Sequence, residues 1–438
     1  MLFLTPKISL PIPHPPQMSN KGNYVASLSQ FTRWLAGVAE NKYGVEIYPG
    51  FAGTQLLLSD EPDSTNPWGN KFRSVQGVIT NEVGLTKNYR MKSSFEPGMA
   101  FRAKVTLLAE GAHGSLSKQA IILHNPRKEA EPQTYGIGLK EVWRVDPEKH
   151  KPGEVVHMLE WPLDKDTYGG GWVYHMDGGL VSLGLVIGLD YKNPWLSPDC
   201  EFQRMKHHPY FRALLTFPKA ERLSYAARVL NEGGLQSVPK LNFPGGALVG
   251  FSAGFVNIAK IKGTHNAMKS GILAAKAAWN AVHPSEAESS DGTVAAAADM
   301  SSSWVQKDLH EVRNLRPSFG TRLWLWGGII YSGIDSLILK GRVLWTFKHH
   351  GPKGKTKNPD STSSLDSSLT EPAGNHMPIE YPPFEAPWLR ITFKTNLVCV
   401  MSDILTSLSS IASELDSELT VIAVFHGKST HLLLRTTN

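Results

Sequence analysis

The sequence predicts a mixed α/β chain, of the α+β kind, in which strand–turn–helix junctions flank a run of antiparallel strands. Three observations carry this. Residues 250–271, GFSAGFVNIAKIKGTHNAMKSG, follow a β-type run at 247–251 into a small-residue turn, Ser252-Ala253-Gly254. A second turn, Lys262-Gly263-Thr264-His265, opens a helix rich in small residues over 266–280. Further upstream, an apolar strand at 101–109 runs into Glu110-Gly111-Ala112-His113-Gly114, with a helix from Ser115. Between these junctions lie four strand-like runs at 136–145, 153–161, 171–175 and 180–188. Glycine at such junctions lets backbone approach a ligand, and a helix start offers unpaired N–H groups to an anion. On spacing alone, the same junctions also suit a plain strand-to-helix connection.

The other elements follow in order. The start, MLFLTPKISLPIPHPPQ, is briefly apolar and then proline-rich, which prevents a continuous helix and does not resemble a targeting signal. Residues 29–39 read as a helix with Phe31, Leu35 and Val38 on one face. Residues 45–48 form a strand closed by Pro49-Gly50, and 55–59 and 75–81 are further strands. Residues 200–215 are helical and include the adjacent pair His207-His208, whose spacing is poor for a metal and suits a surface. The composition turns to Ala, Ser, Glu and Gly over 284–300, a mobile insertion, before an amphipathic helix at 301–315. Residues 353–376 are a low-complexity linker.

The 438 residues suffice for two or three domains with a sizeable core. A net charge of +6 fits an anionic membrane surface or an acidic partner. It fits nucleic acid poorly, because the basic residues are dispersed and no nucleic-acid motif is present. Two cysteines, Cys200 and Cys399, cannot build a disulfide framework. No CxxC, HExxH or recognisable nucleophile setting occurs, so no catalytic or metal-ligating residue is assigned.

Two segments invite closer reading. Tyr168-Gly169-Gly170-Gly171 places three glycines inside strand-rich sequence, which suits either a β-bulge or a close approach to the backbone. The run 323–334, LWLWGGIIYSGI, is apolar, uncharged and twelve residues long. It is too short for the ~30 Å hydrocarbon layer, which needs about 20 residues. With Trp324, Trp326, Trp345 and basic residues nearby, it suits either a membrane-interface segment or a buried core helix.

Long runs resemble one family. GFSAGFVNIAKIKGTHNAMKSGILAA (from Gly250) is similar to the C-terminal flavin-contacting segment of the electron transfer flavoprotein–ubiquinone oxidoreductases. So are NKGNYVASLSQFTRWLA (from Asn20), EPQTYGIGLKEVW (from Glu131), WPLDKDTYGGGW (from Trp161), GLDYKNPWLSP (from Gly188), NEGGLQSVP (from Asn231) and VRNLRPSFG (from Val312). The resemblance runs from Met1 to about Pro382. Geranylgeranyl reductases share the general flavoprotein pattern but not these runs.

The resemblance implies a partial FAD-binding fold of the glutathione-reductase/p-hydroxybenzoate-hydroxylase type with an inserted antiparallel quinone-binding sheet. FAD would contact Glu110, Gly111, Gly254, Lys262, Gly263 and Thr264, and ubiquinone would lie at Gly169 and Gly170. Residues 1–132 would be a partial FAD-binding domain with a membrane-contacting N-terminus, 133–240 the ubiquinone-binding domain and 241–283 the second FAD-contacting segment. Residues 284–350 would be a helical membrane-interface segment, 351–380 a disordered linker and 381–438 a divergent tail. The implied activity passes electrons from electron transfer flavoprotein to ubiquinone at the matrix side of the mitochondrial inner membrane.

Two departures accompany the resemblance. No G-x-G-x-x-G fingerprint is present, so FAD binding is expected to be weakened. The family also uses a [4Fe–4S] cluster with four cysteine ligands, which two cysteines cannot supply. A catalytically incomplete fragment and a flavin-dependent reductase of the geranylgeranyl-reductase type are the alternative readings.

Overall fold

A computed structural model describes residues 1–60, 64–65, 71–216, 219–283, 300–320, 324–349, 379, 381, 418–426 and 429–437. Along the chain, β1 (Leu2–Leu4) and β2 (Ser9–Pro11) form a hairpin and α1 (Leu28–Tyr43) follows. Ser27 Oγ accepts from Gln30 N to cap α1, and Gly44 ends it in the left-handed region at φ 64°. Residues 45–48, expected as a strand, are irregular instead. The helix continues to Tyr43, and no described strand lies beside them to complete a ladder.

β3 (Gly53–Leu58), β4 (Val75–Thr80) and β5 (Ala100–Arg102) make a three-stranded antiparallel sheet. β6 (Thr106–Ala109) belongs to another sheet, so the run expected as one strand over 101–109 is divided where the chain crosses between sheets. α2 (Ser115–His124) leads to β7 (Tyr135–Arg144), β8 (Val155–Glu160), β9 (Gly169–His175) and β10 (Leu180–Gly188). α3 (Pro198–Lys206), α4 (Pro209–Leu214) and β11 (Glu221–Asn231) come next. β11 has no counterpart in the sequence expectations; Leu223, Tyr225, Ala227 and Val229 alternate along its segment ERLSYAARVLN, but Leu223 and Tyr225 stand exposed, so the alternation does not mark a buried face.

The seven-stranded sheet has the order β11-β7-β10-β9-β8-β1-β2 and is antiparallel except where β1 runs parallel to β8. Chain residues 2–11 therefore extend the middle sheet. One sheet face buries Val173, Leu183 and Leu185 against Phe202, Met205 and Phe211 of α3 and α4. A charged cluster sits within this layer. Lys206 Nζ donates to Glu141 Oε1 at 2.8 Å, and Trp143 Nε1 donates to Glu141 Oε2 at 2.8 Å. His208, expected at the surface, is buried. Its Nδ1 accepts from Tyr210 N and caps α4, while its ring packs on Trp161, so its role is in folding.

β12 (Asn242–Phe243) and β13 (Gly246–Leu248) precede α5 (Thr264–Val282). Then follow α6 (Trp304–Glu311), α7 (Leu315–Ser318) and α8 (Trp324–Ile334), the last continuing into a π-helical turn, Asp335–Leu339. β14 (Glu418–His426) and β15 (Ser429–Thr437) complete a second sheet of order β12-β13-β6-β14-β15. Within it β6 and β13 run parallel, with Thr106 opposite Gly246 and Leu108 opposite Leu248. The insertion expected at 284–300, apart from Met300, and the linker expected at 353–376 lie outside the described residues.

Candidate cofactor and quinone site

A crevice at the carboxyl ends of adjacent parallel strands is where open α/β sheets bind ligands. β6 ends at Glu110-Gly111 and β13 leads to the Gly250–Gly254 turn, so both expected cofactor loops leave the same edge. Ser252 Oγ donates to Gly111 O at 3.3 Å and joins the two loops. Gly250, at φ 61°, and Gly254, at φ 89°, adopt backbone that strains any side chain. Gly250 N donates to Ser270 Oγ at 3.0 Å, fastening the turn to α5.

The two helix starts differ. Glu110 folds onto α2, its Oε2 accepting from Ser117 N at 2.6 Å and Ser117 Oγ at 2.8 Å. α2 thus carries its own anion. At α5 the N-cap residue is Gly263, and no side chain caps the 19-residue helix. A Cβ on Gly263 would stand 2.3 Å from the Phe251 ring, so only glycine fits. Fully buried Asn266, in the first turn, has an Oδ1 with no hydrogen-bond partner among the described residues. Gln133 Nε2 is likewise unpartnered and faces Gly254, 2.7 Å from where a Cβ would be. An open helix start, a glycine cradle and two orphaned polar groups fit an anionic or heterocyclic cofactor.

A residue outside the sequence expectations organises this turn. Asp308 of α6 accepts from Asn257 Nδ2 at 2.8 Å and Asn266 Nδ2 at 3.3 Å, and also from Lys260. Burial pushes the Asp308 carboxyl pKa up, but the hydrogen bonds from Lys260 and Asn257 outweigh it and hold the group below its ordinary value. Lys262 itself donates to Asn20 Oδ1 at 2.6 Å, drawing the N-terminal segment toward the turn.

Gly169 and Gly170 open β9 in the middle of the seven-stranded sheet, opposite Ile187 and Val186. A Cβ on Gly169 would stand 2.3 Å from Val186 O, and one on Gly170 2.5 Å from Met158 O. Strand packing therefore explains both glycines without a ligand. Tyr168 precedes them, its phenol pKa raised by burial and then by the nearby Glu232. Its ring lies 4.0 Å from the Arg316 guanidinium and edge-on to Phe319. Arg316 of α7 is buried and gathers the sheet end: Nη2 donates to Asp190 Oδ1 at 2.8 Å and Nε to Glu232 Oε2 at 3.2 Å. Sequence reasoning singled out Tyr168 but not its partners Asp190, Glu232 and Arg316, because they are far apart in the chain.

The two regions adjoin. Tyr135 of β7 stacks on His113 of the Glu110–Gly114 loop at 5.6 Å, and Gly188 N donates to Tyr168 O at 2.8 Å on the neighbouring strand. Gly136 is opposite Gly188 and Gly169 is opposite Ile187, so β7, whose Tyr135 meets the crevice loop, lies two strand spacings, roughly 10 Å, from Gly169.

Beside Tyr168, a Cβ on Gly328 of α8 would stand 2.4 Å from Phe319. α8 and its π-helical turn expose Trp326, Ile330, Ile334, Leu337 and Ile338, while Asp335 and Ser336 are buried. The usual polarity of a surface helix is reversed. Phe3 of β1 stacks on Trp326, and the same hairpin exposes Ile8 and Leu10. Among the described residues, no helix is long and apolar enough to cross a membrane.

Residues 135–230 match the family model described as ETF-QO, ubiquinone-binding. A probable mitochondrial electron transfer flavoprotein–ubiquinone oxidoreductase of Schizosaccharomyces pombe is 51% identical over 87% of this chain and 56% of its own length. The mitochondrial enzyme of that name from Homo sapiens is 46% identical, over 87% of this chain and 58% of its own. A solved geranylgeranyl bacteriochlorophyll reductase-like protein from Thermoplasma acidophilum aligns with 72% of this chain and 65% of its own, at 14% identity and a TM-score of 0.43. The chain spans somewhat more than half the length of the curated relatives it matches. By sequence it is similar, over 87% of its length, to the electron transfer flavoprotein–ubiquinone oxidoreductases.

Proposed function

We propose that this chain carries the quinone-reducing, membrane-facing part of an electron-transferring-flavoprotein dehydrogenase, taking electrons from electron transfer flavoprotein and reducing ubiquinone. The observation that carries the reading is the contact of the glycine-turn crevice, through His113 and Tyr135, with the sheet that holds Gly169–Gly170, inside the matched residues 135–230. FAD would be held by the open start of α5, with Lys262, Gly263 and Thr264, and by Gly111 and Gly254 across the crevice. Glu110 would act at one remove, fixing Gly111 through its bond to α2. A bound flavin accepts and donates electrons singly or in pairs. The chain's own residues bring its site near the quinone backbone and shield it.

Ubiquinone would enter from the bilayer. The exposed stripe Trp326–Ile330–Ile334–Ile338 and the hairpin residues Ile8 and Leu10 support a one-sided seat in the membrane interface. Following the mitochondrial relatives, the site of action would be the matrix side of the inner membrane. Among the described residues no group of ligands suits a metal, and Cys200 alone cannot hold a [4Fe–4S] cluster, so no step is routed through one.

The test is a flavin titration of the full chain followed by quinone reduction in liposomes. The reading expects a bound flavin whose reduced form is reoxidised by a short-chain ubiquinone. It also expects Trp326→Glu with Ile330→Glu to abolish liposome binding without loss of fold. A chain that binds liposomes and quinone but takes up no flavin at saturation is instead a catalytically incomplete fragment.

A further inference from the structure

The helix that turns its apolar side outward turns a polar side inward. Tyr331, Ser332, Asp335 and Ser336 lie on the inward side of α8 and its π-helical turn, with Asp335 and Ser336 almost completely buried. Asp335 Oδ1, Ser332 Oγ and Ser336 Oγ have no hydrogen-bond partner among the described residues. Neither has Oε1 of Gln17, from the Pro16–Met18 turn that packs on the same π-helical turn. Buried polar groups in proteins generally find a protein or water partner, and here three orphaned oxygens gather on one helix side, a setting suited to water. Ser332 and Ser336 are one turn apart and share a side of the helix. A π-helical turn interrupting an α-helix is itself a frequent companion of functional sites.

The position matters as much as the polarity. One end of this side reaches Gly328, which packs on Phe319, which packs on Tyr168 beside Gly169–Gly170. The rise from Gly328 to Asp335 is about 10 Å. The other end meets Glu311 of α6, a half-buried carboxylate whose Oε1 accepts from Gln17 Nε2 at 3.1 Å. Arg313 also faces Asp335, but its guanidinium is committed to the carbonyls of Gly341, Val343 and Trp345 and to Thr346 Oγ1. Burial, with Glu311 adding, pushes the Asp335 carboxyl pKa up against the opposing effects of Gly341 N–H and Arg313. That favours the protonated form.

We propose that the inward side of α8 is a proton-entry path to the quinone head group, with Asp335 as its proton-holding carboxyl. The inference rests on the reading that ubiquinone is reduced at Gly169–Gly170. Reduction adds two electrons and two protons to the quinone and forms an O–H bond at each carbonyl oxygen. The electrons come from the reduced flavin of the proposed activity. A proton leaves the Asp335 carboxyl, moves by way of Ser336, Ser332 and intervening water to the nascent quinol oxygen, and is replaced from solvent on the Glu311 side. A second passage of the same path supplies the second proton.

The experiment follows reoxidation of the reduced, flavin-loaded full chain by a short-chain ubiquinone in stopped flow, for wild type, Asp335→Asn and the double variant Ser332→Ala with Ser336→Ala. Asp335→Asn is expected to slow quinol formation about tenfold or more at neutral pH, leave the quinone KM within about twofold, and be rescued by added formate. The double serine variant should be slowed, with a larger solvent isotope effect, and keeps the test open if Asp335→Asn does not fold. Independently of turnover, infrared spectra of the unloaded chain should show a protonated-carboxyl band that Asp335→Asn lacks. Wild-type rate and pH profile in both variants would overturn the path, as would an unchanged infrared band. A wild type that binds flavin yet never reduces the quinone refutes the parent reading as well, which distinguishes the two failures.

Discussion

Replacing Arg316 by methionine tests what holds the sheet end beside Gly169–Gly170. The guanidinium sits between Asp190 and Glu232 at 2.8 and 3.2 Å and over the Tyr168 ring at 4.0 Å. These three contacts are unequal. The Asp190 side chain is half exposed, so its pair is screened and contributes about 1 kcal/mol at most. The stack on Tyr168 contributes on the order of 1 kcal/mol. Glu232 is only 5% exposed, and removing its partner strands a buried charge, at a cost of about 3–5 kcal/mol.

Burial already raises the Glu232 carboxyl pKa above its ordinary 4.5, against the pull of Arg316. Without Arg316 the rise is larger. A carboxyl whose pKa is raised in the folded state is tolerated while protonated and destabilises once ionised. The deficit of Arg316→Met should therefore be small below pH 4.5 and grow as pH rises through the folded-state value. Thermal melts at pH 5 and pH 8 read this directly, each kcal/mol moving Tm by about 2–4 °C in a unit of this size. Adding Glu232→Gln should restore most of the loss at pH 8. An equal deficit at both pH values, or no recovery in the double variant, would refute the reasoning.

Three further outcomes follow from the same geometry. Glu110→Ala removes the anion at the start of α2 and should cost about 1–2 kcal/mol by chemical denaturation; an unchanged midpoint would show that the cap carries no weight. Gly170→Ala puts a Cβ 2.5 Å from Met158 O and should destabilise by about 1–3 kcal/mol even without quinone, whereas unchanged stability with lost quinone binding would make the glycine a ligand-contact residue alone. His157 is buried, and burial first, then Lys262, the amino terminus and His14, lowers its pKa to about 4. The unfolded chain then binds the extra proton between pH 6.5 and 4, so stability falls as pH falls through that window, and His157→Phe should flatten this slope in acid denaturation curves.

The sequence carried the local events well. Strand periodicity located β7, β8 and β10, and glycine and small-residue spacing located the turns around Gly254 and Gly263. These depend on residues within one turn or one strand of each other. Residues 45–48 look like a strand but have no strand among the described residues to pair with, and β11 pairs along β7 although its alternating Leu223 and Tyr225 are exposed. Pairing is a long-range property, and apolar pattern reports it only where one strand face is fully buried. His208 illustrates the same limit, since adjacency to His207 says nothing about the Trp161 ring that covers it.

For the candidate site, composition and order alone singled out the segments proposed to carry the chemistry: the two glycine turns, the Tyr168 triplet and the apolar run of α8. Tertiary structure alone decided how they are joined. It brought the carboxyl ends of β6 and β13 together, and it spent the Glu110 carboxylate on α2 while leaving α5 open. It also set Asp308 under the Lys262 turn, Arg316 over Tyr168 and Asp335 inside the outward-facing apolar helix. The physical reason is one of range. Backbone conformation follows from neighbours in sequence, whereas the desolvation and pairing of a charge follow from residues that only folding brings within a few ångströms.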